Sequence, residues 1–67
     1  MIKINIRVTY EDDEGYIKIS PMMTFRVPIN KVQFYDNYIA IFNEETGDYL
    51  PYSKDRIVYL NIERSNE

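Results

Sequence analysis

The stretch Val27-Pro28-Ile29-Asn30-Lys31 returns later in the chain as Leu50-Pro51-Tyr52-Ser53-Lys54. Each copy is followed by an apolar run of alternating phase, first Val32-Gln33-Phe34 and then residues 57–62. Apolar residues at every second position are typical of half-buried strands. The repeated stretch therefore marks two places where one strand ends and the next begins.

Both copies predict the same local structure. Proline has no N–H to donate to a sheet, so we expect Pro28 and Pro51 to end strand pairing. Asn30 or Ser53 would then cap a single 3₁₀ turn by accepting a backbone N–H, and the lysine of each copy would be a turn residue rather than a ligand contact. Two such corners in a short chain favour a small sheet that is closed or strongly twisted.

The rest of the chain also indicates strands. Residues 2–10 alternate between apolar and polar side chains, and residues 17–29 do so again, as one bent strand or two short ones. Residues 11–15 separate the two runs, and Gly15 suits the positive φ of a tight return. Helix formers are scarce, with one Ala and two Leu.

We therefore predict an all-β fold with little or no helix. It would be a five- to six-stranded antiparallel barrel or a strongly twisted meander. A single domain would span residues 1–64, and residues 65–67 would form a short tail. A core of this size supplies roughly 3–5 kcal/mol, so a protein partner or self-association is expected to add stability.

The residue types exclude much chemistry. The chain has no Cys and no His, which rules out disulfides and thiolate metal sites and removes the commonest ligand of transition metals. Ser20, Ser53 and Ser65 lack the histidine that usually activates a serine nucleophile. We expect a protein that is not an enzyme, with no cofactor, no metal and no small-molecule substrate.

The sequence also bears on location and source. No run approaches the roughly 20 apolar residues of a membrane-spanning helix, and residues 1–7 lack the apolar core of a signal peptide. We therefore expect a cytoplasmic protein with no membrane partner, and Met1 suggests a complete short reading frame. Residues with A/T-rich codons are abundant, including seven Tyr. This skew is typical of low-GC bacteria, their phages and mobile elements.

Acidic residues outnumber basic ones. The net charge of −3 disfavours nucleic acid as a partner, because phosphate binding draws on a basic surface. Four of the acids form the run Glu11-Asp12-Asp13-Glu14. Its spacing does not match an EF-hand loop, so we interpret it as a solvated turn, with a hard cation or a basic partner as alternatives.

The candidate binding residues are aromatic and apolar. Tyr38, Ala40 and Phe42 share one face of a predicted strand, and Ile57 and Tyr59 share one face of another. If these strands pair, the face opposite a core of Ile39, Ile41, Val58 and Leu60 is apolar too, with Tyr35 at its margin. An apolar patch of this kind marks a contact surface unless the chain's own strands cover it.

Residues 35–62 show a resemblance to a known family. Tyr35-Asp36-Asn37-Tyr38-Ile39-Ala40-Ile41, followed by Tyr52-Ser53-Lys54-Asp55-Arg56-Ile57, resembles the second half of Sm-like small barrels. The resemblance implies a strongly bent five-stranded barrel that forms a ring and binds RNA. The helix at the start of that family and the glycine in its second strand have no counterpart here.

These observations favour a small, acidic interaction module that binds or inhibits a host protein, as a phage or mobile-element accessory protein. One alternative is a Sm-like or other single-stranded RNA- or DNA-binding barrel, which predicts that the basic side chains gather on one face. The other alternative is a structural subunit of a homo-oligomer.

Overall fold

A computed structural model describes residues 1–64 and confirms the all-β fold. The strands are β1 (Ile2–Glu11), β2 (Ile17–Ile19), β3 (Met23–Val27), β4 (Val32–Phe34), β5 (Tyr38–Asn43), β6 (Asp48–Ser53) and β7 (Ile57–Arg64). Two 3₁₀ turns, Ile29–Lys31 and Lys54–Arg56, precede β4 and β7. The tail predicted at residues 65–67 lies outside the described residues.

The strands form two antiparallel sheets. In the first sheet, β1 pairs with β2 and β3 and also with β7. In the second sheet, β5 lies between β4 and β6. The sheets are not closed into a barrel, so the closed arrangement is wrong. Both connections between the sheets, β3 to β4 and β6 to β7, pass through a 3₁₀ turn, which interrupts the ladder at each seam.

The core lies between the two sheets. Its buried residues are Ile2, Ile4 and Ile6 of β1, Val27 of β3, Val32 of β4, and Ile39 and Ile41 of β5. The alternating pattern of residues 2–10 therefore predicted the inner face of β1 correctly. Because β1 lies between β3 and β7, these neighbouring strands cover its apolar side chains from both sides, and the second sheet covers them on the inner face.

The two copies of the repeated stretch differ in structure. Pro28 stands at the N-cap of the first 3₁₀ turn, as predicted, whereas Pro51 lies inside β6, paired with Ala40. Proline is tolerated there because β6 is an edge strand. Neither turn has a side-chain cap, so capping by Asn30 or Ser53 is wrong. The proline of the second copy does not end its strand.

The second alternating run forms two short strands, β2 and β3, rather than one bent strand. Ser20 lies in the break between them and hydrogen-bonds to β1 there. Ser20 is buried, and its backbone N–H donates to the carbonyl of Val8 at 2.8 Å. Its Oγ accepts the N–H of Val8 at 3.0 Å. A side chain thus replaces a ladder bond between β2 and β3, which satisfies a backbone donor that would otherwise be left unpaired.

A β-bulge changes the phase of β7. Tyr59 pairs with Arg7 and Ile57 pairs with Val8, so Val58 has no counterpart on β1. Ile57 therefore lies on the core face, and strict alternation, which placed Val58 in the core, fails at the extra residue. Val58 and Leu60 are 51% and 39% exposed, so their prediction as core residues is wrong.

Candidate functional site

Three of the predicted binding residues come together on the outer face of the second sheet. Ile39 and Ile41 point into the core, which turns Tyr38 and Phe42 of the same strand outward. Tyr35, in the turn before β5, stacks on Tyr38 with ring centroids 4.5 Å apart and planes 16° apart. The sequence therefore places these three aromatic side chains on one surface.

Ile57 and Tyr59 do not join this surface. β7 pairs with β1, so the pairing with β5 on which the prediction depended does not occur. Ile57 packs against the core, and Tyr59 lies beside Arg7 on the outer face of the first sheet. Their predicted role in binding would need a surface separate from that of Tyr38.

Two residues of the outer face were missed from the sequence. Tyr49 pairs with Phe42 and Pro51 pairs with Ala40, so both lie on the same side of the sheet as the aromatic residues of β5. A signal for them existed, since a hairpin loop at residues 44–47 sets this register. We call Tyr35, Tyr38, Ala40, Phe42, Tyr49 and Pro51 the aromatic face.

Specific contacts hold the side chains of the aromatic face. Phe42 and Tyr49 meet edge to face, with ring centroids 5.4 Å apart and planes 69° apart. The Lys31 ammonium lies 4.6 Å from the Phe42 ring centroid, a cation–π distance. The Tyr35 hydroxyl donates to Gln33 Oε1 at 2.6 Å. Tyr35 and Tyr49 remain 42% and 36% exposed, so a partner can reach them without unfolding the sheet.

A cleft of about 590 Å³ lies at one end of the aromatic face, between β1 and the second 3₁₀ turn. It is lined by Val8, Thr9, Tyr10, Asn37, Tyr38, Pro51, Tyr52, Ser53 and Arg56. The lining holds one cation and several hydrogen-bond donors but no carboxylate. Burial raises the pKa of the Tyr52 hydroxyl. Arg56 is the one charged side chain among the described residues of this lining.

The backbone positions Arg56 at this cleft. The N–H of Lys54 donates to the carbonyl of Asn37 at 3.0 Å, which ties the second 3₁₀ turn to the turn before β5. Lys54 itself does not line the cleft. Two basic residues of one short turn therefore have different surroundings.

The basic side chains do not gather on one face. Lys3, Arg7 and Arg26 lie on the outer face of the first sheet, where Lys3 and Arg26 are direct cross-strand neighbours. Lys31 covers Phe42 on the other sheet, and Arg56 lines the cleft. The structure therefore divides positive charge among several surfaces.

The acidic run forms a turn. Asp12 Oδ1 accepts the backbone N–H groups of Glu14 and Tyr16 at 3.0 and 2.8 Å, and Asp12 Oδ2 lies 3.1 Å from the Lys18 ammonium. The N–H of Tyr16, which donates to this carboxylate, holds its pKa below the ordinary value of 3.8, and Lys18 lowers it further. Gly15 has the positive φ predicted for the return, 87°.

Within residues 1–64, no group of three or more Asp or Glu side chains is placed to hold a metal ion. No helix in the same range is long and apolar enough to span a bilayer.

Comparison with known proteins gave no match: no protein-family model, curated protein or solved structure matches this chain.

Proposed function

We propose that the protein is a non-enzymatic module that binds a partner protein through the aromatic face. The observation that carries the proposal is a surface of four aromatic rings on one side of a three-stranded sheet. Tyrosine is favoured at protein interfaces because it adds a large contact area at a low cost in side-chain entropy. The rings are already paired, which reduces the ordering that binding would require.

The chemistry of the aromatic face indicates the kind of partner. Ala40 lies between Tyr38 and Phe42 on β5 and is buried, so the larger rings around it supply the contact area of the face. Lys31, which lies over the Phe42 ring, supplies a positive charge. A partner with apolar side chains and a nearby carboxylate would complement this surface.

The test compares one exposed tyrosine of the aromatic face with one that lies elsewhere on the surface. Affinity capture with the wild-type chain identifies partners, whose affinities are then measured for Tyr49→Asp and for Tyr16→Asp. Tyr16 is 64% exposed and lies in the acidic turn, away from the aromatic face. We expect Tyr49→Asp to weaken binding by tenfold or more, which corresponds to about 1.4 kcal/mol, and Tyr16→Asp to have no effect. A folded Tyr49→Asp variant with unchanged affinity for every partner would refute the proposal.

Single-stranded nucleic acid is a second candidate partner: Arg56 beside Tyr38 in the cleft favours it, whereas the dispersal of the other basic side chains counts against it. Arg56 supplies a phosphate contact there, and the stacked Tyr38 offers a ring to a base. Binding of this kind weakens steeply with salt. We expect Arg56→Gln to lower affinity for short RNA or DNA in fluorescence anisotropy, with Lys54→Gln as the control from the same turn. No anisotropy change at low salt would exclude this candidate.

A further inference from the structure

β7 is an edge strand with unusually apolar exposed side chains. It has eight residues and pairs only with β1 within the described part of the chain, so the backbone groups of its other edge are open. Leu60 and Ile62 point toward the core side, opposite Ile6 and Ile4, yet they are 39% and 42% exposed. The second sheet does not reach over them. An open edge with exposed apolar side chains is a template for another strand.

The open edge of β6, in the second sheet, is protected by comparison. Pro51 interrupts it, because proline has no N–H to offer to a further strand. β7 contains no proline and no lysine, and its charges, Glu63 and Arg64, stand at its end. The bulge at Val58 disturbs only the start of the strand. Residues 59–64 therefore lack the features that usually prevent edge pairing.

We infer that β7 pairs antiparallel with β7 of a second copy of this chain, with Asn61 on the two-fold axis. Such an axis runs perpendicular to the sheet and preserves its faces, so the apolar faces of both copies must coincide. With Asn61 on the axis, Leu60 faces Ile62 of the second copy, and Ile62 faces its Leu60. Each copy then covers the exposed apolar side chains of the other.

The charges and the bulge favour this register over an axis at Glu63 or at Leu60. With Asn61 on the axis, Glu63 faces Tyr59 of the second copy and Arg64 faces Val58, so no like charges meet. An axis at Glu63 would bring the two Glu63 carboxylates together, which is destabilising. An axis at Leu60 would place the bulged Val58 opposite Ile62 and disturb the middle of the ladder. The aromatic face lies on the other sheet and stays accessible, so this inference does not depend on the proposed function.

The test is a pair of complementary variants studied by sedimentation equilibrium. The wild-type chain is expected to show twice the 8.1 kDa mass of one copy at high concentration. In a dimer of either Ile62→Lys or Leu60→Glu, a charge would stand in both of the cross-strand pairs that residues 60 and 62 form. Each variant alone is therefore expected to sediment as a single copy. In an equal mixture, the lysine of one chain faces the glutamate of the other, and the second cross-strand pair, Leu60 with Ile62, stays apolar. The mixture is therefore expected to recover the doubled mass.

A wild-type chain that remains a single copy at all concentrations would overturn the inference, as would a mixture of folded variants that fails to associate. Circular dichroism of each variant verifies folding. A second measurement does not depend on the charged variants. The natural chain has no cysteine, so Asn61→Cys introduces one thiol at the axis, and mild oxidation is expected to yield a covalent dimer. Glu45→Cys, in the loop after β5, is the control, and equal dimer yields from the two would contradict the geometry.

Discussion

β1 and β7 are adjacent, long and similar in apolar content, yet they differ in burial. Ile4 and Ile6 of β1 are completely buried, whereas their direct neighbours on β7, Ile62 and Leu60, remain about two-fifths exposed. Both pairs of side chains point to the same side of the sheet. The difference arises from the positions of the two strands. β1 has a strand on each side and is covered by the second sheet, whereas β7 has a strand on one side only and is not covered by the second sheet.

This comparison shows that an apolar strand need not be a core strand. A side chain on the inner face is buried only where the opposing sheet covers it. In a chain of 67 residues the second sheet has three strands and does not cover every strand of the first. The uncovered apolar area of β7 is therefore a consequence of size, and it is the surface through which we propose that two copies associate.

Replacing the most buried side chain of β1 should have the largest effect. Ile6→Ala removes a fully buried side chain from between the sheets, and we expect a loss of about 2–5 kcal/mol in the free energy of unfolding. A loss of this size is comparable with the whole stability of so small a domain. Urea unfolding followed by circular dichroism measures it. A loss below about 1 kcal/mol would mean that the two sheets do not pack as described.

Ser20→Ala should weaken the other edge of β1. The substitution leaves the Val8 N–H without its acceptor in a partly buried position, so we expect a loss of about 1–3 kcal/mol. Ser53→Ala is the control, because the Ser53 side chain makes no capping hydrogen bond. We expect the control to change the free energy of unfolding by no more than about 0.5 kcal/mol. Equal losses in the two variants would show that the Ser20 bond contributes nothing.

Leu60→Ala should cost less than Ile6→Ala although the two residues are direct neighbours. Leu60 is 39% exposed, so truncation creates little cavity, and we expect a loss of about 1 kcal/mol. Urea unfolding at low protein concentration separates this effect from any loss of association. A loss as large as that of Ile6→Ala would mean that β7 is covered as well as β1.

The smallest expected effect is a pH dependence confined to the acidic turn. The lowered pKa of Asp12 means that its stabilising contribution is fully present above the unfolded value of 3.8 and is lost as the pH falls through the folded value. We expect the Tyr16 amide signal to shift in NMR spectra as the acid is added. The Lys31 amide, which donates to the Pro28 carbonyl at 2.9 Å, is the control. Parallel shifts of both amides would argue against a role for the carboxylate.

Local sequence was enough to predict most elements of the fold. Period-two alternation located β1, a run that is apolar on both faces located β5, and proline placed the break between β3 and β4. Gly15 was predicted to have positive φ, which it has. These features depend on the residue and its near neighbours. Pro51 was mispredicted because a proline also fits an outward position of an edge strand, and edge status is not a local property.

Only part of the candidate site was predicted, because the rest depends on which strands pair and not on local sequence. Tyr38 and Phe42 share a face because they are an even number of positions apart on one strand. Ile57 and Tyr59 were assigned to that face on the assumption that β5 pairs with β7, a contact between distant segments. The bulge at Val58 also shifts the phase of β7, and no residue type in that segment indicates that a bulge is present.

The sequence by itself determined where strands form, which residues lie in the turns, and which side chains alternate along each strand, because these follow from the two-residue period and from the backbone preferences of Gly and Pro. Only the tertiary structure decided that β1 is central and β7 is an edge. Strand order is set by long-range pairing, and pairing decides which of two equally apolar strands is covered and which remains available to a partner.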